Sequence, residues 1–304
     1  MALLVSSLLV VLLQPAAHRW GWVDRPDGDP LKIHATATPL VGGLAIATSS
    51  VAAAALAVAI APSLWPAPAF FLPAVGVVAV GFADDLWGLS QGVRFLFEAI
   101  LAILVPALIV GPGAGAIVNL SGSVGSWLAI AGAAVLVVVG AINALNMQDG
   151  IDGLAGTLAL VALCGFAVVG SGLGRQGLVL VMLVVAGATI GFLPFNLPPA
   201  SVFLGDSGSY FLGFVLGVGA LVLFLERPTV GGAAGALLLV GVPVLDGGAA
   251  VVRRLARGQS PLWGDRGHFY DLLLQRGWPV GKVLGVAGVA QVACVGGGVF
   301  VYLR

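Results

Sequence analysis

The sequence predicts an all-α, polytopic integral membrane protein with about ten transmembrane helices. Hydrophobic residues make up 60% of the 304 residues and charged residues only 9%. The mean hydropathy of +1.11 lies well outside the range of soluble domains. The apolar runs reach the length of about 17–25 residues that a helix needs to cross a bilayer. They do not alternate with a two-residue period, which disfavours a β-barrel.

The apolar runs give the order of the predicted helices. The first run lacks the basic segment that a signal peptide needs, so it is interpreted as a membrane span. No soluble domain or linker interrupts the pattern, and residues 1–304 are predicted to form a single membrane-embedded domain. The spans are expected at about 1–18, 39–61, 69–86, 93–111, 125–146, 153–171, 175–194, 208–225, 230–252 and 281–303.

The basic residues predict which loops face the cytoplasm. If the loop at 19–38 is cytoplasmic, ten of the thirteen basic residues lie on that side, as the positive-inside rule requires. Both termini are then outside. The same count puts five aspartates on the cytoplasmic side, which makes a shared active site plausible. These are Asp84, Asp85, Asp149, Asp152 and Asp206.

Carboxylates beside hydrocarbon are costly unless they bind a cation, pair or take part in chemistry. Asp84 and Asp85 end the third span, and adjacent side chains on a helix point about 100° apart. One carboxylate can therefore hold a cation or a basic group while the other faces a substrate. The alternative is a solvated helix end or an ion pair with Arg94.

The segment 143–153 combines two asparagines, two aspartates and two glycines. Asn143 and Asn146 can share a helix face, and so can Asp149 and Asp152, but a straight helix cannot place all four on one face. The glycines are therefore predicted to break the helix. A polar clamp between helices is the alternative, which explains the asparagines but not the two acids.

Asp206 lies in the run Gly-Asp-Ser-Gly-Ser at 205–209. A carboxylate among such small residues can bind Mg²⁺ through oxygen and leave room for phosphate at the start of a helix. The alternative is an N-cap aspartate that opens the eighth span.

The loop at 253–271 is basic. Contact with anionic lipid would explain Arg253, Arg254 and Arg257. Asp265, Arg266 and His268 form a more compact group that is predicted to grip a diphosphate. Asp246, near the cytoplasmic end of the ninth span, is a candidate supporting partner.

Together these motifs resemble the polyprenyl-phosphate N-acetylhexosamine-1-phosphate transferases. This superfamily includes bacterial enzymes of O-antigen and teichoic-acid linkage synthesis and the phospho-MurNAc-pentapeptide translocase. The resemblance runs from Val23 to about Trp278. It rests on five ordered motifs: Lys…Thr-Pro-x-x-Gly-Gly, Asp-Asp, Asn-x-x-Asn-x-x-Asp-Gly-x-Asp-Gly, Phe-x-Gly-Asp-x-Gly-Ser and Asp-Arg-x-His.

The resemblance implies roles for the matching residues. Asp206 would be the principal Mg²⁺ ligand, with Mn²⁺ as the alternative ion. Asp84, with Asp85 beside it, would deprotonate or position the lipid phosphate, and Asp149 would be the active-site acid of the middle motif. The uracil would be held by Asp152, Asn196 and Phe203. Further substrate contacts are expected from Lys32, Asn146, Asp265, Arg266 and His268.

The implied activity is transfer of a phospho-N-acetylhexosamine from a UDP-sugar to undecaprenyl phosphate, as the first membrane step of a cell-envelope glycan pathway such as cell-wall or lipopolysaccharide synthesis. The implied location is the bacterial inner membrane, with the active site facing the cytoplasm. The expected partners are the two substrates and the lipid bilayer; a homodimer is one allowed assembly, and no nucleic acid is expected.

One departure from the family pattern bears on the substrate. His268 is followed by Phe269, Tyr270 and Asp271, where relatives often have further histidines. This disfavours the MurNAc-pentapeptide phosphotransferase, the alternative within the family, and leaves the sugar open.

Two other functions match part of this pattern. An ion-coupled transporter would favour acids on both sides of the bilayer centre, whereas here they gather at one side. A CDP-alcohol phosphatidyltransferase needs an arginine shortly after Asp-Gly, but Leu-Ala-Gly follows Asp152-Gly153.

Overall fold

The computed structural model describes residues 1–26, 36–61, 71–109, 124–260 and 264–304. Within these ranges the chain forms thirteen α-helices, with a π-helical turn at Val135–Val139 between α5 and α6. The helices are α1 Ala2–Trp20, α2 Gly42–Ile60, α3 Phe71–Trp87, α4 Gln91–Ile109, α5 Val124–Ala134, α6 Gly140–Asn146, α7 Leu154–Gly172, α8 Gln176–Asn196, α9 Gly205–Glu226, α10 Val230–Leu239, α11 Gly241–Ala256, α12 Phe269–Gln275 and α13 Val280–Leu303.

The structure confirms a polytopic, all-α membrane protein. Seven uninterrupted helical segments in the described residues are long and apolar enough to cross a bilayer, and α10 with α11 makes an eighth if the bent pair counts as one span. The predicted spans at 69–86 and 93–111 extend beyond the described residues, and α3 and α4 fill their described parts. The exact count of ten therefore stays a prediction.

The predicted span at 230–252 is wrong as a single straight helix. The chain breaks between Leu239 and Gly241, and α10 and α11 meet at an angle of 97°. The buried side chain of Gln291 on α13 supports this break, because its Nε2 donates to the Leu239 carbonyl at 2.8 Å and its Oε1 accepts from the Val242 amide at 2.9 Å. Backbone groups freed by a broken membrane helix need such partners, since hydrocarbon offers none.

A short antiparallel ladder is the exception to the helical fold. Val23–Asp24 forms β1 and Thr38–Pro39 forms β2, with Val23 opposite Pro39. The Pro39 carbonyl then accepts from the Phe203 amide at 2.9 Å, and the Phe203 carbonyl accepts from the Gly42 amide at 3.1 Å. The start of α2 is thereby attached to the segment that leads into α9.

Helix α9 forms the centre of the helical bundle and is buried along most of its length. It packs against α2, α3 and α6. Small residues allow the close approach that membrane helices need, because lipid gives no hydrophobic force to hold them together. Gly81 of α3 is such a residue: a Cβ there would lie 2.5 Å from the Asp206 carbonyl oxygen and 2.7 Å from Ser207 Cα.

Substituting Gly81 by alanine is therefore expected to push α3 away from the first turn of α9. Because the obstacle is backbone, the added methyl group cannot be accommodated by a side-chain rotation, and we expect a loss of about 1–3 kcal/mol in the free energy of unfolding. Gly132→Ala on α5 is the matched control, since nothing lies within 4 Å of its Cβ position; alanine there should be neutral or stabilising by up to about 1 kcal/mol. Thermal unfolding in detergent compares the two, and equal effects would contradict the packing argument.

Candidate functional site

A cavity of about 1010 Å³ brings the predicted site residues together. Ten of the twelve predicted residues line it, and they include members of four of the five motifs. Arg266 is not among the lining residues, and Lys32 lies outside the described part of the chain. The ten are Asp84, Asp85, Asn146, Asp149, Asp152, Asn196, Phe203, Asp206, Asp265 and His268.

Asp206 lies in the first turn of α9, where Asn146 at the end of α6 meets it. The Asn146 Nδ2 donates to Asp206 Oδ1 at 2.6 Å and to the Ser209 hydroxyl at 3.1 Å. The carboxylate is not the N-cap of its own helix, because α9 begins at Gly205. The N-cap alternative is thus excluded. Asp206 instead lines the cavity beside Asn146.

Asp85 binds the start of α9 from the neighbouring helix. Its Oδ1 accepts from the Asp206 amide at 2.8 Å and its Oδ2 from the Ser207 amide at 3.1 Å. The first amides of a helix have no partner within the helix, and its N-terminus carries partial positive charge. Asp85 therefore fixes the orientation of the turn that carries Asp206, and its predicted catalytic role stays a prediction.

Asp84 is buried in a hydrogen-bonded cluster. Its Oδ1 accepts from the Leu89 amide at 2.7 Å, and its Oδ2 accepts from the Tyr210 hydroxyl at 2.7 Å and from Arg94 Nη1 at 2.9 Å. Arg94 Nη1 also lies 3.0 Å from the Tyr210 hydroxyl. The ion pair with Arg94, the alternative in the sequence analysis, is present in the structure. Asp84 thus holds a guanidinium group at the cavity wall.

The turn at 147–153 carries Asp149 and Asp152 between α6 and α7. The predicted helix break is confirmed: α6 ends at Asn146, and Gly153 has φ +79°, a conformation that favours glycine. Asp149 accepts a hydrogen bond from the Gly205 amide, which links this turn to the start of α9. Burial and the neighbouring carboxylates of Asp206 and Asp85 raise the pKa of Asp149 well above its usual range.

Asp152 and Asn196 join the same turn to the loop that follows α8. Asp152 Oδ2 accepts from the Ala200 amide at 2.9 Å. The buried Asn196 accepts from the Gly153 amide at 3.2 Å through Oδ1 and donates to the Val202 carbonyl at 3.1 Å through Nδ2. Both residues shape the cavity wall, and their predicted contact with uracil stays a prediction.

Part of the cavity lining comes from the basic loop at 253–271. Arg253 donates to Asp265 through Nε at 3.0 Å and Nη2 at 2.9 Å, and Arg254 Nη2 donates to it at 3.2 Å. Although burial acts to raise the pKa of Asp265, these two guanidinium groups lower it below its usual range. Arg254 is only 2% exposed and lines the cavity, so the lipid-contact interpretation is wrong for this residue. Arg266 instead pairs with Asp271 at 3.4 Å.

His268 lies between Asp265 of the basic loop and Asp246 of α11. Its Nδ1 is 2.6 Å from Asp246 Oδ2, and its ring is 4% exposed. Asp246 also accepts from Gln148 Nε2 at 2.9 Å, within the turn that carries Asp149. The supporting role that the sequence suggested for Asp246 therefore has a geometric basis.

The carboxylates fit a divalent cation that arrives with a phosphorylated substrate. Within the described residues, no group of three or more His, Cys, Asp or Glu side chains forms a ready metal cage. Mg²⁺ is commonly held by one or two carboxylates together with substrate phosphates and water. Asp206 and Asp149 could supply such carboxylates, and the repulsion that raises the pKa of Asp149 would be relieved by a cation.

Several residues of the site escaped the sequence analysis. Tyr210 and Gln148 belong to no charged pattern, and Arg94 was considered only as a possible partner for Asp84. The available signal for Arg94 was its position inside an apolar run, because ionisable residues in membrane helices mark functional sites.

Comparison with known proteins relates this chain to one enzyme family. A model of glycosyl transferase family 4 matches residues 67–224. The probable undecaprenyl-phosphate N-acetylglucosaminyl 1-phosphate transferase of Bacillus subtilis (strain 168) is 32% identical over 284 residues, covering 91% of this chain and 77% of the relative. The decaprenyl-phosphate N-acetylglucosaminephosphotransferase of Mycolicibacterium smegmatis is 34% identical, with 81% and 67% covered.

A third relative, the undecaprenyl-phosphate alpha-N-acetylglucosaminyl 1-phosphate transferase of Escherichia coli K12, is 29% identical over 293 residues, covering 90% of this chain and 75% of the relative. The similarity to these three relatives thus covers 81–91% of this chain. The chain belongs to glycosyl transferase family 4, the polyprenyl-phosphate N-acetylhexosamine-1-phosphate transferases.

Proposed function

We propose that this protein transfers an N-acetylhexosamine 1-phosphate from a UDP-sugar to undecaprenyl phosphate, and that the products are undecaprenyl-diphospho-sugar and UMP. The reaction would take place at the cytoplasmic face of a bacterial inner membrane and begin a cell-envelope glycan. Mg²⁺ is the proposed cofactor. The names of the relatives support a polyprenyl phosphate acceptor and an N-acetylglucosamine donor group.

The observation that carries this proposal is one cavity that combines carboxylates with cationic and imidazole side chains. Asp149 and Asp206 line it, and so do Arg94, Arg254 and His268. A nucleoside diphosphate sugar has a charged diphosphate between two neutral polar groups, so it needs cationic contacts at its centre. A volume of about 1010 Å³ is at the upper end of the range for small-molecule sites.

The chemistry requires positioning more than a strong base. The second pKa of a phosphate monoester is about 6, so a lipid phosphate is largely ionised near neutral pH. One of its oxygens attacks the β-phosphorus of the donor; the bond between that phosphorus and the bridging oxygen breaks, and UMP leaves with the bond's electron pair. When bound, Mg²⁺ neutralises charge on the diphosphate and on the departing UMP.

The chain's own residues then have distinct proposed tasks. Arg94, fixed by Asp84 and Tyr210, would orient the lipid phosphate electrostatically, so that Asp84 positions the acceptor through Arg94. Asp85 would keep Asp206 in place through the α9 amides. Arg254 and His268 would hold the diphosphate. Phe203, which lines the cavity, would stack against the base.

The test uses purified protein in detergent with undecaprenyl phosphate, Mg²⁺ and radiolabelled UDP-sugars supplied one at a time. We expect UMP release and an equal amount of a labelled, lipid-extractable product with at least one UDP-N-acetylhexosamine, and neither without the lipid phosphate. The same donors are then offered to sealed proteoliposomes. Accumulation of solute inside the vesicles without a lipid product would contradict the transferase and favour the transporter.

A further inference from the structure

Asp246 receives three hydrogen bonds from two separate parts of the chain. Its Oδ2 accepts from His268 Nδ1 at 2.6 Å and from Gln148 Nε2 at 2.9 Å, and its Oδ1 accepts from the Phe269 amide at 3.0 Å. An ionised carboxylate has only acceptor sites. The proton between Asp246 and His268 therefore belongs to Nδ1 of the imidazole.

This arrangement determines which edge of the His268 ring can face a substrate. With Nδ1 engaged, Nε2 lies on the side of Asp265, 3.9 Å from its Oδ1, and both residues line the cavity. The Tyr270 ring stacks on the imidazole, with 5.7 Å between ring centroids and 7° between planes. Tyr270 is itself held, because its hydroxyl donates to the Met147 carbonyl at 3.1 Å.

The same contacts connect separate segments of the chain around the cavity. Gln148 belongs to the turn that carries Asp149, whereas Asp246 belongs to α11, which follows the 97° bend. Because Asp246 holds both Gln148 and His268, a change in its carboxylate alters the acidic turn and the basic loop together. Tyr270, which follows His268, also contacts the acidic turn, because its hydroxyl donates to the Met147 carbonyl.

We propose that Asp246 is a positioning residue that acts through His268. It holds the proton on Nδ1 and directs Nε2 into the cavity, where Nε2 contacts the donor's diphosphate. The contact with the diphosphate rests on the proposed function, whereas the orientation of the imidazole does not. Asp246 does not itself touch the substrate.

The first test measures the imidazole directly. The chain has only three histidines, His18, His34 and His268, so nuclear magnetic resonance of protein labelled at histidine, with a His268→Gln sample for assignment, identifies each ring. We expect a strongly downfield Nδ1 proton for His268 that is lost in Asp246→Asn. Asp271→Asn is the matched control: it removes a carboxylate that lies three residues after His268 and pairs with Arg266 at 3.4 Å, and it should keep the signal. An unchanged His268 signal in Asp246→Asn would overturn the proposal.

The second test is a double-mutant cycle on transferase kinetics. Asp246→Asn should lower kcat/KM for the UDP-sugar by about 10–100-fold, as when a partner that orients an imidazole is removed. In a His268→Gln background the same substitution should have an effect of less than about 3-fold, because the group through which Asp246 acts is gone. Equal losses in both backgrounds would show a merely structural role and overturn the proposal.

A milder variant covers the case in which Asp246→Asn does not fold. Gln148→Met removes a donor to Asp246 at similar volume, and the Oε1 that it deletes has no partner among the described residues. We expect a displaced His268 signal and a loss in kcat/KM of less than about 10-fold; no change in either would count against Asp246. If even the wild-type protein lacks transferase activity, the proposed function fails, and the imidazole signal alone decides the orienting role.

Discussion

Replacing Asp206 by asparagine is expected to lower turnover at least about 10³-fold while leaving the protein folded. The substitution keeps the size of the side chain and an oxygen that can still accept from Asn146 Nδ2. It removes the negative charge proposed to bind Mg²⁺ next to the diphosphate, and metal stabilisation of phosphoryl transfer is worth several kcal/mol, with each 1.36 kcal/mol equal to about tenfold in rate.

The metal assignment has a readout that does not depend on activity. Mn²⁺ can replace Mg²⁺ in an electron paramagnetic resonance titration, and Asp206→Asn should weaken its binding in the presence of UDP-sugar. The matched control is Glu226→Gln at the opposite end of α9. Glu226 pairs with Arg175 at 2.6 Å and lies at the end of α9 far from Asp206, so this variant should keep turnover within about twofold. Full activity in Asp206→Asn would refute the metal assignment.

Replacing Asp149 by asparagine is expected to lower turnover by about 10²–10³-fold and, unusually, to raise thermal stability in metal-free buffer. The structure favours the neutral form at this position, because burial and repulsion from Asp206 and Asp85 raise the pKa of Asp149. An amide removes the disfavoured charge and can still accept from the Gly205 amide. Function would thus be lost as stability is gained, as at other strained active sites.

Paired measurements distinguish this explanation from a structural one. Unfolding temperature is compared for wild type, Asp149→Asn and Glu226→Gln without metal and with saturating Mg²⁺ and UDP-sugar, and turnover is measured for the same three proteins. The stabilising effect should shrink when Mg²⁺ and UDP-sugar are added, because a bound cation stabilises the wild-type carboxylates. A lower unfolding temperature with normal turnover would contradict the proposed role.

The sequence also predicted which segments would form the site, but not how their side chains are paired. Asp84 and Asp85 are adjacent in the chain, and the expected divergence of their side chains is present. What the sequence left open is their partners: Asp84 binds Arg94 and Tyr210, whereas Asp85 binds the start of α9. Tyr210 is 126 residues from Asp84, and nothing in a single sequence identifies such a pair.

Arg254 is a residue whose surroundings the sequence did not predict. As part of a basic loop it was assigned to anionic lipid, which is the usual role of arginines near a membrane surface. The 97° bend between α10 and α11 turns the helix so that Arg254 is buried against Asp265 instead. At the bend, Gln291 of α13 binds the Leu239 carbonyl and the Val242 amide, although hydropathy alone marks this residue only as a polar interruption of an apolar run.

Hydropathy determined the membrane class and most helix positions, and the resemblance carried by five ordered motifs indicated ten of the residues that line the cavity. Sequence patterns suffice for these because a bilayer requires long apolar helices. They suffice for the site because carboxylates are the usual protein ligands of a Mg²⁺ ion that binds phosphate groups. The tertiary structure alone decided which carboxylate receives a guanidinium, which one binds a helix N-terminus, and which one orients His268. Those choices depend on contacts of a few ångströms between segments distant in the chain, and only the packing of the helices around α9 determines them.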